Sequence, residues 1–244
     1  MKIAVIGGTG LIGSQVVKIV NAGVHQAVPH SLSSGVDLLS GQGLPEALQG
    51  ADVVVNLTNS PTFDDASPSF FQVTMDNLLA AANAAGVGHA VILSIVGADQ
   101  VPGLAYYRAK VLQEDILKAG PVPYSIVRAT QFFEFIPAAL SFTADERTVR
   151  LPATLVQPIA SADVAQAVAD VSVGRPLTGT RNVAGPEVCA LDELGKITLA
   201  ARGDSRTVIT DNSAGMFALA SGDALIAKDG AVIAKTTYQE WLAH

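Results

Sequence analysis

The stretch Ile3-Ala4-Val5-Ile6-Gly7-Gly8-Thr9-Gly10-Leu11-Ile12-Gly13 decides the fold. Four apolar residues in a row, closed by glycines, read as a short strand buried on both faces, as in a parallel sheet. From residue 11 the apolar Ile12, Val16, Val17, Ile19 and Val20 recur at helical spacing, and Gly23 stops the pattern. Between strand and helix stands Gly7-x-x-Gly10-x-x-Gly13. In such a loop the first glycine permits the sharp turn, the second lets the backbone approach a diphosphate, and the third lets the helix pack closely on the sheet. Backbone N–H groups near Leu11 and Ile12 then face the anion from the helix N-terminus. The glycines alone would also suit an ordinary βα turn. The strand before them and the amphipathic helix after them are the context that favours a dinucleotide. Gly7, Thr9, Gly10, Leu11, Ile12 and Gly13 are the candidate contacts.

Outward from this loop, strands are expected at 27–28, 51–56, 90–94 and 124–128, with helices at 11–22, 43–49, 70–85 and 106–119. Residues 57–69, rich in Asn, Ser, Pro and Asp, read as a loop. Strand and helix alternate for over a hundred residues. That pattern predicts an α/β chain with a Rossmann-type doubly wound parallel sheet. Past residue 135 the rhythm loosens. Short strands are expected at 148–151, 156–159 and 180–183, a helix at 164–173 capped by Ser161 or Asp163, a helix at 191–201, and a last helix reaching Trp241. The expectation is one NAD(P)-binding domain over 1–244, with a dinucleotide-binding core at 1–135 and a small substrate-side lobe at 136–244.

Composition excludes several classes. The chain has 244 residues, 49% hydrophobic and 15% charged, with a formal net charge of -7. This is a core-forming composition, and its acidity argues against nucleic acid as a partner. No apolar run is long enough to span a membrane. Met1-Lys2 leads straight into a strand, so no leader is expected. Cys189 is the sole cysteine, which rules out an internal disulfide and suits a cytoplasmic protein. It reads as packing rather than a nucleophile. His25, His30, His89 and His244 share no ligand spacing, so no metal is expected. A small-molecule substrate is the expected partner. The oligomeric state is open, a homodimer included.

The end of the second strand meets the adenosine ribose in a dinucleotide fold, where an acid selects NAD. Here Val28-Pro29-His30-Ser31-Leu32-Ser33-Ser34-Gly35 carries none. His30, Ser31 and Ser33 would hydrogen-bond a 2′-phosphate, which favours NADP over NAD; equally, the serines are ordinary turn residues. Asp37 either accepts from the adenine amino group or caps a turn. Ser94 ends a strand at the ligand side of the sheet. Tyr106 and Lys110, four apart, share a helix face. A lysine beside a phenol lowers the phenol's pKa, and the phenol can then exchange a proton with a carbonyl oxygen while hydride moves. The spacing fits a surface tyrosine and a solvated lysine just as well, and the neighbouring Tyr107 leaves the register open. Phe132, Phe133 and Phe135 read either as a wall of an apolar substrate pocket or as packing.

The glycine loop, Ser94 and Tyr106-x-x-x-Lys110 together resemble the short-chain dehydrogenase/reductase superfamily. Leu93-Ser-Ile-Val-Gly-Ala98, Tyr106-Tyr-Arg-Ala-Lys110, Val127-Arg-Ala-Thr-Gln-Phe132, Pro158-Ile-Ala-Ser-Ala-Asp-Val-Ala165 and Asn182-Val-Ala-Gly-Pro-Glu187 resemble its atypical, NmrA-like members. The resemblance covers essentially the whole chain. It implies that Leu57, Thr58 and Asn59 line the adenosine and ribose, that Lys110 bonds the nicotinamide ribose, and that Arg128, Ala129, Thr130 and Phe132 lie by the nicotinamide. The chain departs from the NADP-preferring pattern in lacking an arginine after the second strand. The function implied is an NAD(P)-dependent oxidoreductase; the three aromatics Phe132, Phe133 and Phe135 point to a small, fairly apolar carbonyl, quinone or enone as its substrate. The alternative is a non-catalytic, NAD(P)-binding redox-sensing regulator, which the atypical group also contains.

Overall fold

A computed structural model describes residues 1–243. In chain order its elements are β1 (Lys2–Ile6), α1 (Leu11–Asn21), β2 (Gln26–His30), α2 (Leu44–Leu48), β3 (Val53–Asn56), α3 (Ser67–Ala84), β4 (His89–Ile95), α4 (Ala105–Ala119), β5 (Tyr124–Ala129), α5 (Ile136–Ser141), β6 (Thr148–Leu151), β7 (Leu155–Val156), α6 (Ser161–Val173), β8 (Gly179–Ala184), β9 (Cys189–Ala190), α7 (Leu191–Ala201), β10 (Thr207–Thr210), β11 (Val232–Ile233) and α8 (Tyr238–Leu242). Seven strands form one sheet in the order β11-β8-β5-β4-β3-β1-β2, mostly parallel. This is the Rossmann-type α/β fold. Pro29, which lacks a donor, is accommodated because β2 is the sheet's edge.

The chain divides into two compact units that interleave along the sequence. The first holds Met1–Ser94, Ala105–Arg128 and Val164–Arg181; the second holds Ile95–Leu104, Ala129–Asp163 and the chain from Asn182 onward. In the first unit Ala4, Ile6, Val54, Ala90, Ile92 and Ile126 on the strands bury against Leu44, Leu48, Met75, Leu78 and Leu117 on α2, α3 and α4. Burying each of the larger side chains among these contributes about 1.5–3 kcal/mol. The second unit carries two small sheets, β6 with β10 and β7 with β9. Its last helix is closed by a capping box, in which Thr237 Oγ1 accepts from the Glu240 N–H at 3.2 Å. Phe133 packs on Tyr238 and Trp241 of that helix at ring separations of 5.0 and 5.7 Å.

Three expectations are corrected. The helix expected from residue 70 begins at Ser67, because Pro68 is tolerated in a first turn and Ser67 Oγ donates to the Thr62 carbonyl at 2.7 Å. The helix expected from 164 begins at Ser161. Ser161 is its first residue, and its N–H and hydroxyl both donate to the Glu134 carboxylate, at 3.2 and 2.6 Å. The strand expected at 156–159 shrinks to β7, paired antiparallel with β9.

One ion pair inside the first unit stands out. Glu114 is fully buried, and Arg128 binds it with both Nε (2.8 Å) and Nη2 (2.7 Å). Removing one partner of such a pair strands a buried charge. Arg128→Met is therefore expected to destabilise the protein by about 3–5 kcal/mol, and combining it with Glu114→Leu to cost less than Arg128→Met alone. Urea denaturation of the two variants checks this order.

Candidate functional site

The glycine loop is fixed by its own backbone. Gly7 and Gly8 donate to the His30 carbonyl at 2.9 and 3.1 Å, and Gly10 donates to the Gly7 carbonyl at 3.1 Å. Gly7 turns with φ 77°, a conformation that favours glycine. A Cβ on Gly13 would stand 2.2 Å from the Gly7 oxygen. Its glycine is thus demanded by the close approach of α1 to the Gly7 carbonyl, just past the end of β1. The helix α1 starts on Gly10 with no side-chain cap and no acid in its first turn. Its leading N–H groups, at Leu11 and Ile12, have no capping side chain and suit an anion. Thr9 is exposed. Gly8 carries a constraint the sequence reading gave no reason for. Its Cβ would lie 2.7 Å from the Val5 oxygen, and the signal was the doubled glycine in so short a loop.

On the adenosine side, the structure gives His30, Ser31, Ser33 and Asp37 local roles. Burial, with Lys2 nearby, lowers the His30 pKa and favours the neutral ring. Its Nε2 is buried without a partner among the described residues. Ser31 Oγ and Ser33 Oγ bond each other at 2.8 Å, and Ser34 Oγ accepts from the Ser31 N–H at 2.9 Å. Asp37 caps a turn, accepting from Ser40 Oγ at 2.8 Å and Leu39 N–H at 2.9 Å; these bonds hold its carboxyl below the usual range. After β3, Thr58 donates from N–H and hydroxyl to Asn56 Oδ1 at 3.0 and 2.7 Å. Leu57 lies beside Gly7, whose Cβ would meet the Leu57 carbonyl carbon at 2.9 Å.

Tyr106 meets the β3–α3 segment. Its hydroxyl donates to Asn59 Oδ1, and its ring touches Phe63 edge-on at 4.8 Å and Phe71 at 6.3 Å. Lys110 approaches the same Phe71 ring, with Nζ 4.8 Å from its centre. The lysine is buried, donating to the Leu93 carbonyl at 2.7 Å and to Gln113 Oε1. Leu93 precedes Ser94, whose hydroxyl is buried with no partner among the described residues. The electrostatics differ from expectation. Burial pushes the Tyr106 phenol up to about 12, and the Asn59 bond only partly opposes it. Burial also pulls the Lys110 ammonium down to about 7, against the attraction of Glu114. Desolvation disfavours the charged form of either group and dominates both shifts.

In the second unit, the Ala129 carbonyl accepts from Val96 N–H at 2.9 Å, and Thr130 N–H donates to Val183 at 3.2 Å. Thr130 Oγ1 is buried and unpartnered among the described residues. Phe132 forms a bridge with Ile159. Of the other aromatics, Phe133 packs on α8, and Phe135 packs on Phe142 and Phe217 at 6.3 and 6.1 Å. Both act as packing. Burial and Glu187 push the Cys189 thiol up to about 11, away from the reactive thiolate. Among the described residues no group of His, Cys, Asp and Glu could hold a metal, and no helix is long and apolar enough to cross a membrane. His244 lies outside the described residues.

Comparison with known proteins adds a family. Residues 7–172, well over half the chain, match the model described as NAD(P)H-binding. No curated protein matches the sequence. Among solved structures, an NADPH-dependent quinone oxidoreductase from Escherichia coli superposes with a TM-score of 0.71 at 20% identity, covering 100% of this chain and 99% of its own. A triphenylmethane reductase from Citrobacter sp., complexed with NADP(H), gives 0.68 at 20% identity over 86% of this chain and 79% of its own. A UDP-glucose 4-epimerase from Thermus thermophilus, complexed with NAD, gives 0.70 at 18% identity over 86% of each chain. At these identities the likeness is one of fold.

The depressed Lys110 pKa has a consequence for stability. The unfolded lysine titrates near 10.5 and the folded one near 7, so between these values the unfolded chain binds the extra proton. Stability then rises with pH across that window, and the burial penalty is fully present below it. Thermal melts from pH 7 to 10 should show wild type gaining stability relative to Lys110→Met. A constant difference across the range would contradict the assignment.

Proposed function

We propose that this chain, which belongs to the NAD(P)H-binding family, is an oxidoreductase that moves hydride between a nicotinamide cofactor and a small, fairly apolar carbonyl, quinone or enone. The observation that carries the reading is Lys110. Its ammonium is buried on the Leu93 carbonyl beside Ser94, in the same compact unit as the glycine loop. A buried lysine with its pKa near neutrality is costly to maintain for packing alone.

The residues present fit a dinucleotide. The uncapped first turn of α1 suits its diphosphate. The segment after β2 has no carboxylate to repel a 2′-phosphate before Asp37, and Asp37 is committed to its own turn. These features support NADP over NAD, with Ser31 and Ser33 as the hydroxyl donors. A bound nicotinamide supplies or receives the hydride. The chain supplies the proton. With its pKa near 12, Tyr106 is a neutral phenol at physiological pH, the form that donates a proton when a carbonyl is reduced. Its hydroxyl leaves Asn59 for the substrate oxygen, and the unspent Ser94 hydroxyl polarises that oxygen. The Lys110 ammonium favours the phenolate left behind.

A second reading is a nucleotide-sensing protein without turnover. It draws on the Lys110 donors already spent on Leu93 and Gln113.

The test is Tyr106→Phe, assayed with NADPH across a panel of quinones, enones and aldehydes. We expect kcat to fall by about 10²–10⁴-fold with the NADPH Kd unchanged. Unchanged kcat would remove Tyr106 from the chemistry. NADPH binding with no wild-type turnover on any of these substrates would favour the sensing protein.

A further inference from the structure

Lys110 is held by a buried polar path that the reaction chemistry does not require. An ammonium has three donors. One reaches the Leu93 carbonyl and a second reaches Oε1 of Gln113, three positions along α4. Gln113 is fully buried. Its amide nitrogen faces the Met75 sulfur at 3.7 Å, and that sulfur also meets Asn56 Nδ2 at 3.5 Å. Asn56 Oδ1 in turn holds Thr58, next to the Asn59 that holds Tyr106. The path thus runs from α4 across α3 to the end of β3. A thioether is a weak acceptor, and two buried amides on one sulfur are poorly satisfied. Each amide instead serves through its oxygen: that of Asn56 orders the turn, and that of Gln113 holds the lysine.

We infer that Gln113 is a positioning residue for Lys110: its side-chain oxygen, anchored through the Met75 sulfur, holds the ammonium on the Leu93 carbonyl beside Ser94. What Lys110 is positioned to do rests on the oxidoreductase reading; the positioning itself does not. Against the ammonium lie the Phe71 ring of α3, the Leu93 carbonyl of β4 and the Gln113 amide oxygen of α4, all uncharged. The charged group acting on it is Glu114 of α4, itself bound by Arg128 of β5 and by Lys118 at 3.5 Å.

The test is an NMR titration of the full chain labelled at lysine Cε, with the Lys110 signal assigned by its loss in Lys110→Met. Wild type should titrate near 7. Gln113→Glu keeps an acceptor and adds a charge, and should raise the midpoint by about one to three pH units. Gln113→Leu should lower it. Met75→Leu, close to volume-conserving, should lower it less, and it carries the test should Gln113→Leu fail to fold. In turnover assays the pH limb belonging to Lys110 should move in step with each midpoint. An unmoved midpoint in Gln113→Glu overturns the inference. A midpoint that moves in a protein with no turnover at all keeps the inference and sinks the oxidoreductase reading.

Discussion

The Gly7 carbonyl oxygen occupies the space that a Cβ on Gly13 would need, at 2.2 Å. From that close approach the phosphate side of the molecule follows. It forces the strand-to-helix turn to be tight, and the turn is locked from the other side by two N–H bonds to the His30 carbonyl at the end of β2. The helix must then begin at once, on Gly10, without a side chain to cap it. A helix start left uncapped by its own chain is an anion site by default. The sequence of constraints runs from sterics to backbone geometry to ligand chemistry, and none of it depends on side-chain identity outside the glycines.

Desolvation governs the chemical end. Both groups that would handle the proton are shifted in the direction that favours neutrality, the phenol upward and the ammonium downward. A phenol that stays protonated suits a donor, and an ammonium near its midpoint responds to small changes around it. The bonds that place these groups are short-range and buried: Asn59 on the phenol, Leu93 and Gln113 on the lysine. Tyr106 and Lys110 are thus tied together through the end of β3 as well as along their own helix.

Much of the fold was legible because its signals are local. Four buried residues ending in glycine are enough for β1, and the helix expected at 191–201 is α7 as found. Where a distant partner decides, the sequence was silent. The start of α6 is set by Glu134, 27 residues away. In the candidate site, residue types and spacing pointed to Ser94, Tyr106 and Lys110, and Tyr106 and Lys110 do converge on Phe71. Spacing could not reveal burial, so the direction of the phenol's pKa came out opposite. Nor could it reveal Gln113 or Met75, ordinary helix residues whose roles arise only when α3 packs on α4. The serine-rich turn after β2 read two ways in sequence and remains both turn and candidate site, since Ser31 and Ser33 bond each other.

The central claim is that the loop from Gly7 to Gly13 holds the diphosphate of a nicotinamide dinucleotide. Titration calorimetry of the purified protein with NADPH, and in parallel with NADH, tests it most directly. The account predicts saturable one-to-one binding, tighter for NADPH. Absence of binding by either nucleotide would contradict it.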